Sequence, residues 1–163
     1  MKGNNSLFSN VKYHGPASGD VSYMGKGNYS LFAKYVSKRS DVDVNGNFDV
    51  IAHGGSTYIQ IESAGKIHNL SARDAAKLIR KAPGYKSCKS VRLLSCNTGS
   101  IENGFAQNLA NALGKPVYAP NNYIWATQSG HHFIAGRLKN GRPNYNIKGE
   151  FIKFVPGGNR NGK

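Results

Sequence analysis

Two residues of this chain have the type and the local setting for nucleophilic catalysis, His53 and Cys96. His53 follows the run 48–52, which is apolar except for Asp49, and precedes a pair of glycines. Cys96 follows the run 91–94, apolar except for Arg92, and one serine. A thiol attacks a carbonyl carbon as the thiolate, and a neighbouring imidazole can take its proton. The pair predicts a cysteine hydrolase with Cys96 as nucleophile and His53 as base.

The elements around these residues predict how they would meet. Both apolar runs are typical of buried strands. Between them a helix is expected from Ser71 to Ala82, because Ser71 can cap it, Asp74 sits three residues later, and Pro83-Gly84 ends it. Strand, helix and strand in this order favour neighbouring parallel strands, whose carboxyl ends share one edge of the sheet.

The rest of the chain predicts an α/β fold with a mostly parallel sheet flanked by helices. A second helix is expected at 104–113 and a third strand of the same type at 117–119. Segment 31–36 is helix or strand, 57–62 is a strand or flap, and 41–47 indicates a hairpin turn. Further strands are expected at 123–127 and 133–135, with an edge strand at 151–155. We expect an irregular leader or linker at 1–30, a single α/β catalytic domain at 31–156 and a disordered tail at 157–163.

The composition adds a strong positive charge. The chain has 22 Lys and Arg against 8 Asp and Glu, a net charge of +14, which favours a polyanionic partner. The cations are spread out and form no dense nucleic-acid motif. Cys88 and Cys96 are expected to be free thiols, and no cluster has metal-ligand spacing, so no metal is predicted. Neither a membrane span nor a signal-peptide pattern is present in the sequence.

Each residue also has a purely structural interpretation. A cysteine after an apolar strand is most often a small buried residue, and a lone histidine at a strand end usually has a structural role. The ordered pair, with one helix between the two strands, favours the catalytic interpretation. The backbone N–H groups of Gly54 and Cys96 would then form an oxyanion hole.

The two blocks, residues 50–54 (VIAHG) and 91–96 (VRLLSC), resemble those of the caspase–hemoglobinase superfamily, the clan CD cysteine peptidases. That family pattern is a hydrophobic strand ending in His-Gly and a second one ending in a small residue and Cys. The segments 93–99, 105–110 and 116–120 are also similar to C-terminal domains of bacterial polymorphic toxins of the Rhs and contact-dependent inhibition types.

The resemblance implies a caspase-like sheet in which Cys96 is the nucleophile, His53 the base or leaving-group acid, and Gly54 an oxyanion donor. Asn97 and Asp49 are candidates for a supporting third residue. Substrate-binding positions would be Ser95, near the entrance, and Trp125, Ala126 and Thr127. No cofactor is required, although the charge permits activation by inositol hexakisphosphate, as in some self-processing toxin relatives. A toxin domain would be secreted or delivered into a target cell as part of a larger protein, and an acidic immunity protein would cover its cleft.

Three functions therefore compete. The first is a cysteine peptidase that cleaves a protein target or its own parent chain. The second is a basic toxin nuclease acting on RNA or DNA, and the third is a non-catalytic binding module on the same fold. The nuclease is disfavoured because no paired carboxylates or His–Lys cluster marks a phosphate site. Iodoacetamide labelling of Cys96 across pH, with and without His53, would discriminate among them.

Overall fold

The computed structural model describes residues 20–24, 31–42, 44–63 and 66–158. Most of the predicted leader (1–19 and 25–30) and of the predicted tail (159–163) lies outside the described residues. The turn at 157–158, however, is described.

A five-stranded sheet forms the centre of the molecule, in the order β1-β2-β6-β7-β11. Its first four strands run parallel, and β11 pairs with β7 in the antiparallel direction. The strands are β1 (Asp20–Ser22), β2 (Asn47–Ile51), β6 (Ser90–Leu94), β7 (Val117–Pro120) and β11 (Phe151–Phe154). The predicted edge strand at 151–155 is confirmed. The sheet begins at Asp20, so the folded domain includes residues that the sequence assigned to a leader.

Three helices flank this sheet within the described residues: α1 (Leu31–Val36), α2 (Ala72–Ile79) and α3 (Phe105–Leu113). The hydroxyl of Ser71 accepts a hydrogen bond from the Asp74 backbone N–H at 3.3 Å, which confirms the predicted cap. The buried sides of α2 and α3 pack in one apolar core with Val50, Leu93 and Phe154. Segment 31–36, left open between helix and strand, is helical.

The opposite side of the sheet has a second, smaller core. Ile51 and Leu94 from adjacent strands pack there with Met24, Val36 and Ile124. Val36 ends α1, and Ile124 belongs to a second sheet, so both elements cover this side. Residues of β2 and β6 thus face two different cores, which explains why these strands are largely apolar; the exceptions inside them, Asp49 and Arg92, are paired with each other.

Two antiparallel three-stranded sheets complete the fold, in the orders β3-β4-β5 and β10-β9-β8. The first lies in the chain between β2 and α2, and the second between β7 and β11. Their strands are β3 (His53–Gly55), β4 (Tyr58–Ser63), β5 (Lys66–Leu70), β8 (Tyr123–Ala126), β9 (His132–Arg137) and β10 (Pro143–Lys148). The fold is therefore mixed α/β, with a parallel centre and more antiparallel strand than the sequence predicted. β5 and β10 were missed.

The predicted hairpin turn at 41–47 is wrong. A short 3-10 turn spans Val44–Gly46 and leads directly into β2, whose partners on both sides are parallel. Before this turn, Arg39 joins the segment to the central sheet through ion pairs. Arg39 binds Asp49 and Asp20 at 2.7 and 2.9 Å.

These residues belong to a buried cluster of ion pairs, the ionic cluster, which also includes Arg92, Asp41 and His132. Asp49 is fully buried and is also bound by Arg92 at 2.7 Å. Arg92 and His132 both reach the carboxylate of Asp41, at 2.8 and 3.0 Å. A charge taken this far from water is tolerated only with partners and hydrogen bonds of this kind.

Candidate functional site

His53 lies where the chain passes from the central sheet into the first small sheet. β2 ends at Ile51, and the backbone N–H of Ala52 still donates to the Leu94 carbonyl at 3.4 Å. His53 then opens β3 and pairs with Gln60 of β4. The imidazole is thus held at the carboxyl end of β2, as the sequence predicted.

Cys96 lies at the corresponding end of the neighbouring strand. β6 ends at Leu94, and the turn that follows is closed by Asn97, whose φ is 61°. The Asn97 N–H donates to the Asn122 carbonyl at 3.0 Å, and the Gly99 N–H donates to the Pro120 carbonyl at 2.8 Å. These bonds tie the turn that contains Cys96 to the end of β7 and to the segment that follows it.

One cavity joins the two residues. Its volume is about 430 Å³, and both His53 and Cys96 line it. Because β2 and β6 are parallel neighbours in register from Asn47↔Ser90 to Ile51↔Leu94, their ends open at the same rim. The other lining residues are almost entirely apolar: Met24, Leu31, Phe32, Tyr35, Ala52, Ile124, Trp125 and Ala126.

The thiol of Cys96 is held against the main chain of Ile124. The Ile124 N–H donates a hydrogen bond to Sγ at 3.4 Å. The thiol in turn donates to the Ile124 carbonyl oxygen, 3.8 Å from Sγ. Burial raises the pKa of Cys96 above its ordinary value, while the backbone N–H groups of Ile124 and Cys96 lower it by less. The free protein therefore holds a neutral thiol at neutral pH.

The surroundings of His53 also favour a neutral group. The residue is exposed as a whole, but its neighbours exclude enough water from the imidazole to lower its pKa, and the charge of Glu62 opposes this shift. An unprotonated imidazole at neutral pH can accept a proton from a thiol. Both shifts favour the neutral forms, a thiol at Cys96 and an unprotonated imidazole at His53, over a resting thiolate–imidazolium pair.

Glu62 is a residue of this site that sequence reasoning missed. His53 pairs with Gln60, and Glu62 lies two positions further along β4, so all three share one face of the small sheet. The other face carries Ile59 and Ile61, which are buried in the core. The alternation of residues 58–63 was the available signal, but only the pairing with β3 brings this carboxylate near His53.

Gly54 has a steric role in the structure. A Cβ atom built there would overlap with Ser95 Oγ and would lie 2.8 Å from Thr98 Cγ2 and 3.2 Å from the Cys96 carbonyl oxygen. The glycine lets β3 lie directly on the turn that carries the thiol. Its predicted use as an oxyanion donor stays a prediction.

The predicted substrate-binding residues divide into two groups. Trp125 and Ala126 line the cavity with His53 and Cys96. Ser95 is fully buried, so its placement near the entrance is wrong. Thr127 is exposed beyond the end of β8, where its hydroxyl meets that of Ser129 at 3.0 Å; it does not line the cavity.

Asp49 cannot serve as the third catalytic residue. Its two carboxylate oxygens are bound by Arg39 and Arg92 inside the ionic cluster. The side chain is fully buried, and the structure gives it no hydrogen bond to His53 among the described residues. Asn97 stays a candidate for the supporting residue only because it follows Cys96 directly. Its backbone carbonyl accepts a hydrogen bond from the Ser100 hydroxyl.

Neither Cys88 nor Cys96 forms a disulfide, as predicted. Within residues 20–24, 31–42, 44–63 and 66–158, no group of three His, Cys, Asp or Glu side chains could hold a metal ion. No helix in the same part of the chain is long and apolar enough to cross a membrane.

Comparison with known proteins gives a family without an assigned activity. The family model described as "Domain of unknown function (DUF8616)" matches residues 19–134, a segment that holds both His53 and Cys96. The match begins one residue before β1 and covers most of the chain. The chain therefore belongs to this family.

One curated relative is similar over a shorter stretch. The uncharacterized protein YibJ of Escherichia coli (strain K12) is 39% identical over 70 residues, which are 43% of this chain and 29% of that protein. The chain thus spans less than a third of the length of this relative.

Proposed function

For this member of the DUF8616 family, we propose a cysteine-peptidase-like hydrolase of caspase-like arrangement, with Cys96 as nucleophile and His53 as base. One observation carries the proposal. The carboxyl ends of two adjacent parallel strands, β2 and β6, bring His53 and Cys96 to the rim of one cavity. Ligands of open parallel sheets bind at such ends.

The reaction follows from the protonation states of the two groups. As Sγ bonds to the substrate carbonyl carbon, the thiol proton passes to His53, and the carbonyl oxygen becomes an oxyanion near the N–H groups of Gly54 and Cys96. The C–N bond then breaks, and the amine leaves with the proton from His53. Water, deprotonated by the same imidazole, cleaves the thioester and restores the thiol.

The cavity also supports a substrate class. Apart from His53 and Cys96, the described residues of its lining offer mainly aliphatic and aromatic side chains, and none of these described residues is Lys, Arg, Asp or Glu. Burying a charged side chain there would cost free energy without a partner, whereas an apolar side chain gains from burial. We therefore propose cleavage after a hydrophobic residue.

The biological setting belongs to the same proposal. A strongly basic domain with this dyad suits a toxin effector domain of a bacterial polymorphic toxin, delivered as part of a larger protein and neutralised by an acidic immunity protein. The similarity to a segment of a longer protein, YibJ, supports a modular setting. The substrate would be a protein target or the parent chain.

The decisive experiment uses active-site probes that imitate a substrate. Peptidyl acyloxymethyl ketones ending in Leu or Phe should label Cys96, located by mass spectrometry of the digested protein. Probes ending in Asp or Lys should label it at least about tenfold more slowly, because the cavity carries no counter-charge. His53→Ala should reduce the rate by about a hundredfold or more.

Cys88 provides the control, since it is also a half-buried cysteine that forms no disulfide; its Sγ accepts a hydrogen bond from Lys115 Nζ at 3.5 Å. Cys88→Ala should leave the labelling unchanged, and Cys96→Ala should abolish it. Labelling of Cys96 that is no faster than that of Cys88, or that survives His53→Ala in a folded protein, would contradict the dyad.

A further inference from the structure

The sheet β8-β9-β10 has an outer face built from aromatic rings. Tyr123 pairs with Ala135 and Trp125 with Phe133 across β8 and β9, so these residues share one side. The opposite side carries Ile124 and Ile134, which pack in the smaller core. On the outer side Trp125 and Phe133 are half-buried and Tyr145 is exposed, so the described residues leave the part around Tyr145 uncovered.

Three of its rings are stacked. His131 and Phe133 lie 6.1 Å apart between ring centroids at an interplanar angle of 22°, and Phe133 and Tyr145 lie 5.6 Å apart at 25°. These are offset-stacked geometries. Tyr145, at the end of the row on the edge strand β10, is 66% exposed. Burial in the fold therefore does not account for this ring.

The same unit is positively charged. Residues 121–149 contain no Asp or Glu, and their cations are Arg137, Lys139, Arg142 and Lys148. Lys148 pairs with Ala135, and Arg137 lies two residues beyond Ala135 on β9, which places both cations on the aromatic side. Beside the stacked rings is a hollow of about 700 Å³, lined by residues that include Lys148 and Glu150.

We propose that this aromatic face binds single-stranded nucleic acid. Bases would stack on Tyr145 and along the row formed with Phe133 and His131, while Arg137 and Lys148 bind phosphates. The nearly parallel rings offer a stacking surface for a flat base, and the cations between them can bind the phosphate of the same nucleotide. An acidic protein would satisfy the charge but would leave the exposed face of Tyr145 without a planar partner. The inference does not depend on the proposed hydrolase.

The test is a binding titration with the Cys96→Ala protein, so that thiol chemistry plays no part. Trp125 is the single tryptophan of the chain. It lies on the same side of β8 as Tyr123 and also lines the cavity of His53 and Cys96. Its fluorescence therefore reports binding at either place, and the Tyr145 and Lys148 variants assign the signal to the aromatic face. The ligand is an oligouridylate of about 12 nucleotides, within the usual site sizes of single-strand binders. A duplex and heparin of equal total charge serve as comparators.

Matched variants separate stacking from charge. Tyr145→Ala should weaken oligouridylate binding by about tenfold or more, whereas Ile67→Ala, at an exposed residue of β5, should change it by less than about twofold. Lys148→Gln should weaken binding and reduce the slope of log affinity against log salt by about 1, more than Lys66→Gln on β5. Circular dichroism checks that each variant is folded.

The single strand should bind more tightly than the duplex or heparin. The proposal is overturned if heparin binds as well and Tyr145→Ala has no effect, if Lys66→Gln and Lys148→Gln weaken binding equally, or if the oligouridylate does not bind at low salt. Each of these results leaves the labelling of Cys96 by ketone probes untouched.

Discussion

Gly54 lies so close to Ser95 that a Cβ atom on the glycine would overlap with the serine oxygen. One of these residues follows His53 and the other precedes Cys96. The segments that carry the imidazole and the thiol are thus in direct contact through their neighbours. The relative position of His53 and Cys96 therefore depends on this contact as well as on the pairing of β2 with β6.

Gly54→Ala should therefore destabilise the protein by about 1–3 kcal/mol, the usual cost of overpacking, and should slow ketone labelling of Cys96. Urea unfolding gives the first quantity and mass spectrometry the second. Ser95→Ala should be close to neutral, because Ser95 Oγ is buried without a hydrogen-bond partner. In the Ser95→Ala background, Gly54→Ala should cost less; an equal cost in both backgrounds would rule out this contact as the cause.

Alkylation of Cys96 by iodoacetamide should be slow at neutral pH. Burial raises the thiol pKa above its ordinary value of about 9, and the thiolate is the species that reacts. The rate should thus keep rising as pH passes 9 and should show no plateau near neutrality. The Cys88→Ala protein isolates the signal of Cys96. A plateau near pH 7 would mean that a resting ion pair with His53 exists after all.

Glu62→Gln should lower the pKa of His53 further below its ordinary value. The Glu62 charge favours the imidazolium and partly offsets the desolvation of His53, and the substitution removes that attraction while keeping the shape of the side chain. A proton NMR titration of the His53 ring measures the shift. Glu150→Gln, which removes a charge from an exposed residue after β10, is the control and should leave His53 unchanged. A rise in the His53 pKa would contradict the assignment.

Arg39→Met should destabilise the protein by about 3–5 kcal/mol, because it leaves the buried carboxylate of Asp49 with one cation fewer. Arg39 and Asp49 are 5% and 0% exposed, so water cannot replace the lost partner. Equilibrium unfolding in urea measures the effect. Arg73→Met, on the exposed side of α2, should change stability by less than about 0.5 kcal/mol. Similar effects of the two substitutions would show that the cluster adds nothing specific.

The sequence by itself determined the elements that carry the candidate dyad. The apolar runs before His53 and Cys96, the capped helix from Ser71 and the helix after Gly104 all depend on periodicity and end signals that lie within a few residues of one another. Parallel pairing of the two strands followed from the single helix predicted between them. The strands of the smaller sheets were harder to predict. β10, for example, is largely exposed and shows no alternation of buried and exposed residues.

The tertiary structure alone decided which neighbours act on those two residues. Asp49 was a plausible partner of His53 in the sequence, yet Arg39 and Arg92 reach it from distant positions and hold it in the ionic cluster. Ser95 points into the protein because Gly54 packs on it, and Glu62 approaches His53 because β4 pairs with β3. Contacts of this kind join residues that are far apart in the chain, and their free energies depend on burial and distance, which local patterns do not contain.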